Sequence, residues 1–196
     1  MKIEDNTGDG FGLRINKENR IFASSVTSTE SDHNADKGNK YNMNTGDITV
    51  TNATETTVFY MRNDNDHPVF ITALIYNLGA TTGGGGDVVI DVIKNPLTGD
   101  IIDNANAVEM NSNQNFGDTS VFTGGVYKGA TGETLVDGSK TISTRSASNT
   151  GRIFISLGAM ILAKGSSMAI NYTAPTGNTS QTIQVAASCF IQDIVV

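Results

Sequence analysis

The sequence of 196 residues has no tryptophan, one cysteine, two histidines and three prolines. Each shortage closes a class of function. The lone Cys189 excludes an internal disulfide framework and deprives the usual zinc modules of their thiolates. His33 and His67 stand far apart in polar surroundings, so neither has a neighbour at metal-binding spacing. Without tryptophan, a sugar-binding module would lack the ring that most often stacks on a sugar face. Charged residues make up 17% of the chain, against about 25% in an ordinary globular protein. Acids outnumber bases 20 to 13, for a net charge of −7. With no basic stripe to neutralise phosphates, neither nucleic acid nor an anionic membrane surface is an expected partner. No apolar run approaches the roughly 18 residues that cross a bilayer. Met1 to Asn6 opens on charged and polar residues without the apolar stretch of a secretory leader. The expectation is therefore a chain made in a cytoplasm, with no signal peptide and no membrane association.

What the chain has in abundance is Gly, Asn, Thr and Ser, together 80 of its 196 residues. Thr favours strands, while Gly and Asn favour turns and weaken helix interiors. Apolar residues reach 38% and fall in short dense runs, enough for a real core. The composition leans all-β.

Residues 1–19 are polar with few apolar points. Of these Phe11, Leu13 and Ile15 alternate, as in an extended segment that needs a partner surface. The expectation is an N-terminal docking arm over 1–19 and one β domain over 20–196. Strands are predicted at Arg20 to Thr27, Asp47 to Thr51, Thr56 to Arg62, Val69 to Leu78 and Asp87 to Lys94, with Ile101-Ile102 resuming a strand beyond a turn. Further strands are predicted at Gly151 to Leu157, Ser166 to Thr173 and Thr182 to Val196. Alternation in the second of these predicts one wet face, and weaker alternation in the last suits a central or subunit-contacting strand. Ser28 to Thr45 and Asp103 to Ser120 read as long loops, which compact domains keep mainly for interactions. Turn signals between short apolar runs, with no fixed repeat, indicate one antiparallel β-sandwich, jelly-roll-like, behind an extended N-terminal arm.

No catalytic constellation emerges. Cys189 lies in an apolar run and reads as a small core residue. Gly83 to Gly86 is followed by Asp87 and β-branched residues, not by the Gly-Lys-Ser/Thr of a phosphate loop, and a Gly-x-Ser-x-Gly elbow is missing. Asp5 to Gly10 begins like a calcium loop, but its twelfth position is Asn16 in place of Glu. Asn63-Asp64-Asn65-Asp66 offers oxygens to a hard cation, with a solvated turn the favoured reading. The triplets at Asn52, Asn171 and Asn178 carry no glycosylation claim. No catalytic, cofactor or metal residue is assigned.

Several stretches together resemble a family of tailed-bacteriophage virion structural proteins. They are Asn19-Arg20-Ile21-Phe22-Ala23-Ser24-Ser25-Val26-Thr27-Ser28-Thr29-Glu30-Ser31-Asp32-His33, Tyr41-Asn42-Met43-Asn44-Thr45-Gly46, Asn111-Ser112-Asn113-Gln114-Asn115-Phe116-Gly117, Tyr127-Lys128-Gly129-Ala130 and Pro175-Thr176-Gly177-Asn178-Thr179-Ser180. These are turn and loop patterns, not catalytic signatures. The resemblance implies a non-enzymatic component of the virion, of capsid decoration, cement or head-fibre type. Such a protein would sit on the capsid exterior over capsomer junctions, bound to the major capsid protein as a homotrimer. The alternative is a tail, baseplate or fibre component whose long loops contact a host glycan or receptor. A glycan depolymerase is the least favoured reading.

Overall fold

The computed structural model describes residues 14–15, 21–22, 29–51, 55–83, 86–103, 106–130, 132–147, 151–155 and 160–192. In chain order the elements are β1 (Arg14–Ile15), β2 (Ile21–Phe22), α1 (Glu30–Asp36), β3 (Lys40–Asn44), β4 (Ile48–Val50), β5 (Glu55–Arg62), β6 (Val69–Gly83), β7 (Val88–Lys94), α2 (Asp100–Asp103), β8 (Asn106–Ala107), β9 (Met110–Asn113), β10 (Val126–Lys128), β11 (Ser139–Ser146), β12 (Gly151–Ile155), β13 (Met160–Leu162), β14 (Ser167–Thr173) and β15 (Asn178–Ile191). Strands β1 and β2 pair with each other. The others form two antiparallel sheets, as the all-β sandwich expectation requires. One runs β12-β6-β15-β3-β9, with β13 also on β6 and β4 also on β15; the other runs β11-β7-β14-β5-β10-β8.

Eight strands set the frame: β3, β5, β6, β7, β11, β12, β14 and β15. The first pairs with the eighth, the second with the seventh, the third with the sixth and the fourth with the fifth. The chain is thus a long hairpin rolled into two layers, changing sheets at every step except β7 to β11. Segment 95–138, inserted at that step, carries α2 and adds β9 to one sheet and β8 and β10 to the other.

Alternation explains the inner faces. Tyr41 and Met43 of β3, Leu74 and Tyr76 of β6, and Ile183, Val185, Ala187 and Cys189 of β15 point into one core with Phe59, Ile90 and Ile170 of the opposite sheet. The second sheet is also covered outside. Ile101 of α2 packs against Tyr60, Ile93 and Ala169, backed by Ile102, Tyr127 and Leu135. This corrects two expectations. The supposed wet face of β14 is buried, with Ala169 fully enclosed, because the inserted segment lies over it. Ile101-Ile102 forms a helical turn, not a strand, with the Ile102 and Asp103 amides donating to the Gly99 carbonyl.

Further departures from the sequence reading share a cause, a scarcity of apolar residues. Ser28 to Thr45 is not one loop but holds α1 and β3. Thr29 caps α1, its hydroxyl accepting from the Asp32 amide at 3.2 Å and donating to the Asp32 carboxylate at 2.7 Å. Asp103 to Ser120 contains two short strands. β6 continues past its expected end at Leu78 through Thr81 and Thr82, held by β15. Of the strand expected at Arg20 to Thr27, Ile21–Phe22 is seen as β2 and the remainder lies outside the described residues.

Tyr76 sits in the core at 0% exposure, and its hydroxyl has no hydrogen-bond partner among the described residues. A buried polar group without a partner costs stability. The variant Tyr76→Phe is therefore expected to gain about 1 kcal/mol, read as a higher denaturant midpoint with an unchanged slope.

Candidate interaction surface

The rolled hairpin gathers most of the irregular chain at one end of the sandwich. There the Asn63 amide donates to the Ser166 carbonyl, Asn95 to Ser167, Arg62 to Gly125, Ile191 to Asn39 and Gln192 to Pro68. The turn weighed for calcium belongs to this end. Asn63 is fully buried. Its carboxamide nitrogen donates to the His67 and Leu162 carbonyls at 3.0 and 2.8 Å, and its oxygen accepts from the Asn65 amide at 2.9 Å. Asp64 pairs with Arg62 and Asp66 with Lys164, so the turn's oxygens are engaged separately and do not converge. Among the described residues no group of three or more His, Cys, Asp or Glu is placed to hold a metal ion. His33 is exposed on α1 and His67 is half-buried. Cys189 is buried as expected, and burial pushes its thiol well above the ordinary range.

The prominent feature is the loop that follows β9. Three Asx turns succeed one another: the Asn113 side chain accepts from the Asn115 amide at 2.8 Å, Asn115 from Gly117 at 3.1 Å and Asp118 from Ser120 at 2.8 Å. Asn113 is itself buried, and its carboxamide donates to the Gly38 carbonyl and to the Ser120 hydroxyl. Asn111 grips the far side of the loop, donating to the Phe122 carbonyl at 2.9 Å and accepting from the Phe122 amide at 3.0 Å. Phe122 plugs the core, edge-on to Tyr41 at 5.8 Å. The loop is thus tied down at both ends, yet Phe116 at its tip is 100% exposed and Val121 beside it 48% exposed. Between them opens a depression of about 310 Å³, lined also by Asn111, Asp118 and Thr119.

Helix α1 adjoins the loop. The Asn115 carboxamide reaches the Asp36 carbonyl at 3.4 Å, and Gly38 lies so close to Asp118 that a Cβ there would stand 2.1 Å from a carboxylate oxygen. Gly38 also has φ +74°, a left-handed conformation suited to glycine. Of the acidic residues, Asp36 meets the loop through its carbonyl and Asp118 belongs to it, whereas the Glu30 carboxylate accepts from Gln192 and that of Asp32 from Thr29. The two segments read from sequence as contact loops, 28–45 and 103–120, therefore come together here. Of the arm residues, Phe11 and Leu13 lie outside the described residues, and Ile15 is placed only as a backbone position of β1 opposite Ile21. Sequence reasoning passed over Phe116. Its signal was a lone aromatic residue flanked by Asn113, Asn115 and Asp118, each able to close a turn.

Comparison of the chain with protein-family models, with curated proteins and with solved structures finds no match. The resemblance to phage virion proteins rests on the stretches quoted above alone.

Chemically the surface is suited to adhesion. A large apolar side chain held in solvent by a rigid loop loses little further entropy on binding, and such aromatic residues dominate interface energies. The Asp118 carboxyl is held below its ordinary range by the Ser120 amide and then the Ser120 hydroxyl. A depressed folded value means this contribution is complete above the free carboxylate value, near pH 4, and is lost as pH falls through the lower folded value. Hydrogen exchange at the Ser120 amide is expected to be flat with pH, after correction for intrinsic rate, until acid conditions, and then to rise; Asp118→Ala should abolish that step. Cys189 should be unreactive towards a thiol reagent in the native protein and react once on unfolding in guanidinium.

Proposed function

We propose that this protein is a non-enzymatic structural component of a tailed-phage virion, a capsid decoration or cement protein that binds the outside of the head at capsomer junctions. The observation that carries the reading is Phe116, fully exposed on a loop that side-chain hydrogen bonds lock in place. Stability alone gives no reason to hold a phenylalanine in water, whereas a docking function does. The strand order supports the same reading. Pairing of first with eighth, second with seventh, third with sixth and fourth with fifth is consistent with a jelly roll, an architecture that recurs in viral capsid domains. Architecture alone does not assign function, so the adhesive surface and the quoted resemblance carry the rest.

In this reading Phe116 seats in an apolar pocket of the major capsid protein. The arm residues Phe11, Leu13 and Ile15 lie along the shell, and a homotrimer multiplies each modest contact through effective concentration. The convergence of 28–45 and 103–120 at one end suits a tail or fibre component contacting a host receptor equally well. Copy number separates the two, hundreds per particle marking the shell and a few to tens the tail.

The test is co-sedimentation of the full chain with heads of the encoding phage. Phe116→Ala is expected to weaken binding about 30-fold, as for an interface anchor worth about 2 kcal/mol, without lowering the melting temperature. Replacing Phe11, Leu13 and Ile15 together by serine should abolish retention. Full binding by both variants would overturn the assignment.

A further inference from the structure

The two sheets differ on their outer faces. That of the β11-β7-β14-β5-β10-β8 sheet is covered by α2 and the Leu135 stretch. On the β12-β6-β15-β3-β9 sheet α1 lies against β3 and β15 and Phe190 is buried, while the other outward residues described are half-buried or exposed. Cross-strand partners share a face, so its lining follows from register. Phe190 stands between Lys40 and Phe70, Ser188 between Asn42 and Ala73, Ala186 between Asn44 and Ile75, and Gln184 beside Asn77. Ile161 adjoins Phe70, Arg152 adjoins Asn77, and Ser112 and Met110 continue the rows beyond β3.

We infer that this face is the surface through which copies of the chain associate with one another. Three properties favour a second copy. First, charge: the chain carries 20 acidic residues, yet none lies on these rows, whose only charges are Lys40 and Arg152 at the margins. Two copies of a molecule with net charge −7 repel least where carboxylates are missing. Second, several polar groups are already paired within the face. The Ser188 hydroxyl and the Gln114 carboxamide both donate to Asn42 Oδ1 at 2.6 and 2.9 Å, and Asn77 donates to Gln184 Oε1 at 2.8 Å. Those pairs would survive drying of the face, and burial of polar side chains is costly chiefly when partners are lost. Third, size and anchors. Five strands about 4.8 Å apart and some eight residues long span roughly 600 Å² in projection, of the order of the ~800 Å² of accessible surface that each partner gives a stable interface. The apolar anchor at one corner is Ile161 at 53% exposure, beside the half-buried Phe70, which stacks at 5.0 Å on the buried Phe190. The inference stands whether or not the virion reading does.

The test uses the full chain and needs no ligand. By light scattering after size exclusion, the wild type is expected to run as a multiple of 20.7 kDa. Ala186→Glu, which sets a carboxylate at the centre of the face, should raise the dissociation constant at least about 100-fold, as for an unpaired interfacial charge. Ser143→Glu, on the edge strand β11 of the other sheet, should leave the mass unchanged. Lysine acetylation of the wild type gives a second reading that does not depend on a variant folding. Lys40 should be protected in concentrated samples and exposed on dilution, while Lys37 reacts throughout. A monomeric wild type, an oligomer that survives in folded Ala186→Glu, or Lys40 protection that ignores dilution and so marks cover by the chain's own N-terminal residues, would each overturn the inference.

Discussion

The antiparallel pairing of β6 with β15 is the contact on which the rest of the structure depends. It runs from Val69↔Ile191 to Gly83↔Asn178, with register shifts that let both strands bend. Because β15 is the last strand and β6 lies in the first half of the chain, this ladder forms late in sequence and closes the rolled hairpin. β3 and β4 then pair along the free edge of β15, and β12 and β13 along the free edge of β6. Its inward rows, Ile71, Leu74 and Tyr76 with Ile183, Val185 and Cys189, form one wall of the core. Its outward rows form a wide sheet face. Closing the roll also puts the ends of β5, β7 and β15 together, which gathers the turns and inserted loops into one surface.

Asparagine makes that surface rigid. A loop with few apolar residues cannot be ordered by burial, so its backbone must be tied by polar contacts. Asn63, Asn111 and Asn113 each make hydrogen bonds of the kind a neighbouring strand would make, accepting from one amide while donating to a carbonyl. Asn95 adopts a left-handed backbone at φ +50° and accepts from the Ser167 amide, joining the end of β7 to the start of β14. The high asparagine content, which from composition alone suggests only turns, supplies side chains that stand in for missing strands.

Legibility in the sequence followed apolar density. β5, β7, β12 and β14, with their runs of β-branched and aromatic residues, stand within a residue or two of their expected limits, and β15 holds the central place its weaker alternation suggested. The elements that escaped depend on partners distant in sequence. In β3 two inward residues, Tyr41 and Met43, suffice because β15 and β9 flank it on both sides. β11 (Ser139–Ser146) is polar and largely exposed and is held mainly by its ladder with β7. α2 presents a hydrophobic pair that reads as strand until Gly99 bends the chain back against Leu135. Phe116 was invisible for the opposite reason: an aromatic residue in a polar stretch suggests a small buried anchor, and only the geometry of three consecutive Asx turns places it outward.

Rigid loops and a charge-poor sheet face address one physical problem, how a protein adheres without aggregating in the free state. A contiguous apolar patch would do the first at the expense of the second. Here exposed apolar surface is divided: a single phenylalanine on a tied loop at one end, and Ile161 and Met110 at separate margins of a sheet face that mixes small apolar residues with paired polar ones. Each is too small to drive promiscuous association, while carboxylates elsewhere keep unrelated surfaces apart. On the proposed reading binding favours a partner that meets a preset shape, because side-chain hydrogen bonds tie the loop and strand ladders tie the sheet. In that reading specificity arises from pre-organisation, and the low apolar content that made parts of the chain hard to read keeps the exposed apolar surface small.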